Sequence, residues 1–347
     1  MSTPASTGLP TSAAAATSAG ASSGASSGAS AGTSTGTSTG TSTDAPAGGA
    51  SYPPDPVDVA VGVVIRADGK VLIGQRPAGK PYAGWWEFPG GKREPGEEIA
   101  ATLARELHEE LGLEVHASCP WVTREFVYPH AHVRLYFRRV FDYSGSPQSR
   151  EGQSFAWVDV DRFDRAPLLP ATVPVPGWLR LPPECAVSVA GLIGDDAFVA
   201  ALEYRLRTRR LRLLVLHEPA LAPARFEHLF ARVLPACRQA GVPLLVGPGH
   251  APSFARAAQG TLLSGDDLHR GGVRRPCRLV AAACRDRGDL EAAHRLGVDL
   301  AVVDAALLSR AAGTLRQPTY VIGMPVQEAI ASGAHGIVPG AEFWQAG

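Results

Sequence analysis

Cysteine is scarce in this sequence, and lysine and arginine are missing altogether from its first 50 residues. The five cysteines, Cys119, Cys185, Cys237, Cys277 and Cys284, are odd in number, scattered, and never spaced as CxxC. That pattern excludes a disulfide framework and a CxxC zinc site, and it reads as reduced thiols in a cytoplasm. Net charge is absent too, because 33 basic residues balance 33 acidic ones. A neutral chain has no general electrostatic grip on nucleic acid or anionic lipid, so direct nucleic-acid binding is not expected and any polyanion must be met locally. The longest apolar candidate, LRLLVLHEPALA, is broken by His217, Glu218 and Pro219, which argues against a membrane span. With neither basic residues nor a continuous apolar core, the N-terminus does not read as a secretory signal.

What is present divides the chain into three. Residues 1–52 are nearly all Ala, Ser, Thr and Gly, with near repeats such as ASSGASSGASAG, and this tract cannot bury enough apolar surface to offset chain entropy. A disordered tail is expected there. The rest is long enough for two domains, read as 53–183 and 184–347. In the first, VDVAVGVVI and KVLIGQR predict strands joined as a hairpin by the Asp68-Gly69 turn. REFVYPHAHVRLYFRRVFDY predicts two more paired strands that turn at Pro129, and FAWVDVDRF another. The proline-rich stretch from Ala166 to Pro183 reads as the close of that domain and as a linker. Residues 184–347 alternate eight short apolar strands with helical stretches, which predicts a compact parallel (βα)8 barrel.

Between the first strands and the hairpin lies GGKREPGEEIAATLARELHEELGL, Gly90 to Leu113. If Glu97 to Leu111 is helical, Glu106, Glu109 and Glu110 share an arc of roughly 100°. Like charges at that spacing repel, and Arg105 offsets only part of the cost. A hard divalent cation turns the repulsion into a binding site, and Mg²⁺ prefers a few carboxylate oxygens, water and substrate phosphates to a full protein cage. The expected cofactor is therefore Mg²⁺, with Mn²⁺ as the substitute. Leu103, Leu107 and Leu111 supply an apolar stripe to anchor the helix.

Gly91, Glu97, Arg105-Glu106-Leu107, Glu109-Glu110 and Gly112-Leu113 match the Nudix box without gap or exception. From about Val57 to Pro183 the chain resembles the MutT type of that family, the sanitising nucleoside triphosphate pyrophosphatases. The resemblance implies an α/β/α sandwich with a mixed sheet. It also implies a nucleoside triphosphate substrate, 8-oxo-dGTP or a related damaged nucleotide, cut to monophosphate and pyrophosphate in nucleotide-pool sanitation and DNA repair.

Carried over by position, Glu106, Glu109 and Glu110 would hold metal, with the Gly91 carbonyl as a further ligand. Arg105 would orient the carboxylates and Glu97 would hold the loop onto the helix. Glu151, in SREGQSF, matches an additional metal ligand or general base, and reads equally as an exposed loop acid. Arg76 and Phe88 match residues that approach the nucleotide, beside Glu87, Pro89 and Gly90, although Phe88 also fits a core position. Lys92 offers a point charge or a solvated side chain. Two positions depart from the type: Pro81 stands where histidine is common, and Thr172 stands where an asparagine reads the oxidised guanine. A hydroxyl cannot reproduce the paired donor and acceptor of an amide. His130 and His132 read as surface or core residues, not metal ligands.

The second half resembles thiamine phosphate synthase, a (βα)8 barrel, through segments such as GVPLLVG, LLSGDDL and YVIGMPVQEAIASGAHGIV. The positions of that family's diphosphate and magnesium groups hold Val215, His217, Pro219, Gly247-Pro248 and Gly323-Met324. These side chains form neither a phosphate clamp nor a metal site, so a non-catalytic barrel is expected. Two alternatives stay open for the whole chain: a pyrophosphatase of thiamine-pathway diphosphates, and a nucleotide-sensing module without turnover.

Overall fold

A computed structural model describes residues 55–150, 152–270 and 277–345. The expected tail, 1–52, lies outside the described residues. Those described belong to one compact unit, and none of their helices is long and apolar enough to cross a membrane.

The first half is built from β1 (Val57–Val64), β2 (Val71–Gln75), β3 (Trp86–Glu87), β4 (Gly90–Lys92), α1 (Ile99–Leu111), β5 (Glu114–Tyr128), β6 (Ala131–Ser144), β7 (Ser154–Val158) and α2 (Val175–Leu179). Ala60, Val61, Val63 and Val64 are all buried, as a central strand covered on both faces requires. β1 accordingly pairs in parallel with β6 along its whole length and antiparallel with β4, giving a mixed sheet ordered β4-β1-β6-β5. A second, antiparallel sheet runs β3-β2-β7. The expected β1-β2 hairpin is thus corrected. The turn closes, with Arg66 N donating to Lys70 O at 2.9 Å and an Ile65–Val71 bridge, but the two strands then diverge into different sheets. On one side Leu103, Leu107 and Leu111 of α1 pack with Ala60, Val64, Leu72 and Val140; on the other, Val61, Val63 and Phe137 meet Ala171, Val175 and Trp178. This is the α/β/α sandwich.

The proline-rich stretch is no linker. Trp86 N donates to Pro167 O at 2.8 Å and Leu169 N to Trp86 O at 2.9 Å, while Ala171 and Val175 are fully buried. Its prolines fit because they fall at turns and at the first positions of short helices, where a missing N–H is tolerated.

The second half carries β8 (Ala186–Val187), β9 (Leu214–Leu216), β10 (Leu244–Val246), β11 (Gly260–Leu263), β12 (Leu279–Ala283), β13 (Leu300–Asp304), β14 (Thr319–Ile322) and β15 (Gly336–Val338), all parallel and in sequence order. Between them run α3 (Ala190–Ile193) and α4 (Asp195–Arg207), α5 (Pro223–Ala240), α6 (Pro252–Ala258), α7 (Gly265–His269), α8 (Arg287–Leu296), α9 (Ala305–Ala311) and α10 (Val326–Ala331). An isolated parallel bridge between Glu184 and Ile337 closes the ring, with Cys185 N donating to Ile337 O at 3.0 Å and Ile337 N to Pro183 O at 2.9 Å. Val215, Leu245, Leu262, Ala281, Leu300 and Tyr320 are among the side chains that fill its interior, so the barrel is a packed core and not a pore.

The halves meet along β5, the edge strand of the mixed sheet. Thr123 N donates to Leu315 O at 2.6 Å and its hydroxyl to Gly313 O at 2.8 Å, so barrel backbone caps an otherwise open edge. From β6, the Arg139 guanidinium, buried at 5% exposure, donates to the carbonyls of Ala334 and His335 and lies over the Trp121 ring. Gly313, Leu315, Ala334 and His335 all precede barrel strands, so the first half covers the end from which those strands start.

Candidate active site

The glutamates sit on α1 because the opposite face of that helix is spent on the core. Thr102, Leu103, Leu107 and Leu111 are buried, and Gly112, in the left-handed conformation at φ +69°, stops the helix just beyond them. Glu106 keeps 16% of its side chain exposed and Glu109 54%, at the rim between helix and sheet.

Among the described residues, Arg105 is a cationic partner of this cluster. Its Nε and Nη2 bond Glu97 Oε1 and Oε2 at 2.8 and 3.0 Å, a bidentate pair. Its Nη1 reaches Glu106 Oε1 at 3.0 Å and Glu109 Oε2 at 3.1 Å, and Nη2 also donates to Lys92 O at 3.1 Å. One guanidinium therefore joins three carboxylates and the loop before the helix. Glu97 in turn accepts from Glu94 N at 3.1 Å and from the Thr102 hydroxyl at 2.9 Å. The Arg105 hydrogen bond, then the Glu94 amide, hold the Glu97 carboxyl down at about 2. The sequence sets Arg105 against the carboxylates but gives no sign of Thr102, whose hydroxyl is not distinctive on an amphipathic helix.

Gly91 lies directly against Glu106. A Cβ there would stand 2.1 Å from the Glu106 carboxyl carbon, and at Gly90, φ +143°, it would stand 2.1 Å from Ala60 O. The two glycines let β4 run tightly along β1, with Ala60 opposite Gly91 and Val61 opposite Gly90, while the carboxylate folds over the strand. The Gly91 cradle and an all-oxygen donor set fit a hard divalent cation. Among the described residues no three acidic, imidazole or thiol groups stand together as a ready-made cage. Magnesium tolerates such a loose set because it retains waters and takes phosphate oxygens from its substrate.

The far end of α1 is tied to the loop that follows β6. Gln148 N donates to Leu111 O at 2.9 Å, Arg150 N to Glu110 O at 3.1 Å, Arg150 Nη1 to His108 O at 2.8 Å and Gln153 Nε2 to Glu110 O at 3.3 Å. These donors satisfy carbonyls left open at the helix terminus, and the guanidinium complements its negative end. Glu151 itself lies outside the described residues. Arg150 and Gln153 were missed in the sequence, where they looked like ordinary neighbours of a loop acid.

A cleft opens beside the cluster, lined by Glu87, Pro89, Gly90 and Glu110 together with Lys80 and Gln153. Arg76 Nη1 bonds Glu87 Oε2 at 2.6 Å, and Arg76 Nε donates to Pro81 O at 2.8 Å. Burial pushes the Glu87 carboxyl up, against the pull of Arg76. Phe88 points the other way: it is 3% exposed and packs with Val61, Val63 and Ile73. Thr172 is 4% exposed, and its hydroxyl donates to Leu169 O at 2.9 Å. Lys92 is exposed. His130 packs against Tyr82 and Tyr128, and His132 stands 3.9 Å from Glu125.

At the barrel positions singled out in the sequence, Val215 fills the interior, and the His217 imidazole lies against Gly247 so closely that a Cβ there would stand 2.3 Å from its Nδ1. Burial lowers the His217 pKa. Neighbouring Glu218, 7% exposed, accepts from Ala190 N at 2.6 Å and Gly191 N at 3.0 Å, so the chain's own carboxylate occupies these backbone donors.

Comparison with known proteins places the first half. The family described as NUDIX domain matches residues 56–177. The CTP pyrophosphohydrolase of Escherichia coli (strain K12) is 38% identical over 121 residues, 33% of this chain and 85% of that protein. The 8-oxo-dGTP diphosphatase of the same strain is 32% identical over 124 residues, 36% of this chain and 96% of that protein. A solved structure from a structure and function analysis of MutT from Aliivibrio salmonicida and Vibrio cholerae is 31% identical, covering 35% of this chain and 95% of its own, with a TM-score of 0.32.

Proposed function

This chain belongs to the Nudix family of hydrolases, and from that premise we propose that it cleaves nucleoside triphosphates to the monophosphate and pyrophosphate with the help of Mg²⁺ or Mn²⁺. The observation that carries the reading is the Arg105 hub, which gathers Glu97, Glu106 and Glu109 beside the Gly91 cradle. Glu106, Glu109 and Glu110, with the Gly91 carbonyl, would hold the metal. When bound, it neutralises phosphate charge and lowers the pKa of a water. The chain's own part is positional. Arg105 restrains the carboxylates against their mutual repulsion, Glu97 locks Arg105, and the donors of Arg150 and Gln153 fix the turn that carries Glu110.

The relatives act on two kinds of base, by their names: CTP and 8-oxo-dGTP. Thr172 counts against the second for this chain. Its hydroxyl is buried and already donates to Leu169 O, where an amide would be needed to read an oxidised guanine. The deciding experiment sets purified protein with Mg²⁺ against CTP, dCTP, 8-oxo-dGTP, the other canonical triphosphates and hydroxymethylpyrimidine diphosphate, and measures pyrophosphate or phosphate release. Turnover of a triphosphate that stops with EDTA supports the proposal. Absence of turnover on every triphosphate refutes it.

A further inference from the structure

The second half holds a cavity that the hydrolase chemistry does not use. It measures about 250 Å³, and its lining includes Arg287, Glu291, Thr314, Leu315, Arg316 and Gln317. Arg287 starts α8, and residues 314–317 lead into β14, next to the contact with β5.

The polar groups here are incompletely matched. The lining carries two guanidiniums and one carboxylate. Arg287 Nη2 reaches the Thr314 hydroxyl only at 3.5 Å. Arg316 Nη2 stands 3.7 Å from Glu125 Oε1, which is already bonded by Arg134 Nε at 3.0 Å. A well-formed guanidinium–carboxylate bond is about 2.7–2.9 Å. Gln317 is 3% exposed, yet its amide oxygen has no hydrogen-bond partner. On neighbouring β5, outside that lining, half-buried Arg124 carries a guanidinium whose Nε is also without a partner. Burial first, then Arg316 and Arg124, keep the His294 imidazole of α8 below its usual pKa.

Guanidiniums gathered in a half-enclosed space repel unless an anion joins them, and a phosphate accepts the planar fork of arginine well. We propose that this cavity is a second ligand site, which takes a compact phosphate-bearing anion between Arg287 and Arg316, with the Thr314 hydroxyl as its neutral polar contact. At about 30 Å³ per water, the cavity has room for a diphosphate-sized group. Its position gives occupancy a structural effect. Leu315, between Thr314 and Arg316, is the residue whose carbonyl caps Thr123 of β5, so an anion that fixes this loop also fixes the seam between the halves.

The test is calorimetric titration of the full chain in EDTA, where the glutamates of α1, with no metal among them, disfavour anions. The probes are inorganic phosphate, inorganic pyrophosphate and CMP, and the tightest of them identifies the source of the phosphate group. Saturable binding is expected in the wild type and in Glu110→Gln. It is expected to weaken at least about tenfold in the double variant Arg287→Ala/Arg316→Ala, and to recover in part in Arg287→Lys/Arg316→Lys, which restores charge. Melting of each variant without ligand controls for folding. No saturable binding by any probe, equal binding by the double alanine variant, or loss of binding in Glu110→Gln would overturn the proposal. None of these readouts depends on the hydrolase activity.

Discussion

Arg105 and Glu97 face each other as fork and fork, Nε to Oε1 at 2.8 Å and Nη2 to Oε2 at 3.0 Å. The pair leaves Nη1 free to turn toward Glu106 and Glu109, which a lysine cannot do while holding Glu97. Arg105→Lys is therefore expected to lose about 10- to 100-fold in kcat/KM and to need more Mg²⁺ for half-maximal rate, with little change in melting. An unchanged metal dependence would show that Arg105 does not position the carboxylates.

Glu109→Gln and Glu110→Gln should each abolish most turnover and leave the fold intact. Removing one charge relieves like-charge repulsion on the free helix, whereas a metal would lose a ligand. Circular dichroism and initial rates check both halves of the statement, and near-normal rates in both variants would remove the metal assignment.

The depressed pKa of Glu97 makes a prediction about acid. Its carboxyl titrates near 2 in the folded chain, against an ordinary value of 4.5. A lowered folded pKa stabilises fully above the unfolded value and is lost as pH falls through the folded one. The difference in Tm between wild type and Glu97→Gln should then be constant from neutral pH to about 5 and shrink between about 4.5 and 2. A difference that stays constant down to pH 2 would mean that the carboxylate is not held by Arg105.

At the seam, Arg139→Ala removes the donors to the Ala334 and His335 carbonyls from a buried place. Leaving buried acceptors unpaired costs about 1–3 kcal/mol, so Tm should fall by several degrees. A fragment ending at Pro183 should keep the proposed pyrophosphatase chemistry but be less stable and less soluble than the full chain, because Thr123 and Arg139 lose their partners. Equal stability of fragment and full chain would make the seam incidental.

Much of this architecture is legible in the sequence itself. The matched positions from Gly91 to Leu113 announce the acidic helix, and the apolar runs from Ala186 to Val338 announce eight strands, because each signal is local and repeated. The hairpin reading of β1 and β2 went wrong because the Asp68-Gly69 turn is local, whereas the parallel pairing of Val57–Val64 with Val133–Val140 comes from far along the chain. Phe88 stayed ambiguous for a related reason, since an aromatic residue before Pro89 suits a core and a base pocket alike. Arg139 looked like any polar residue on a strand; only the barrel's carbonyls distinguish it.

The contact between Thr123 and Gly313 spans 190 residues of chain. During synthesis, β5 is therefore made well before the backbone that covers it, by roughly 10 to 40 s at about 5–20 residues per second. For that interval the nascent protein carries an open strand edge on an otherwise complete sheet, the arrangement most prone to pairing with another copy. Ribosome pausing between the two halves, or a chain terminated before Leu315, should send the product toward aggregates even though every residue of the hydrolase has already been made.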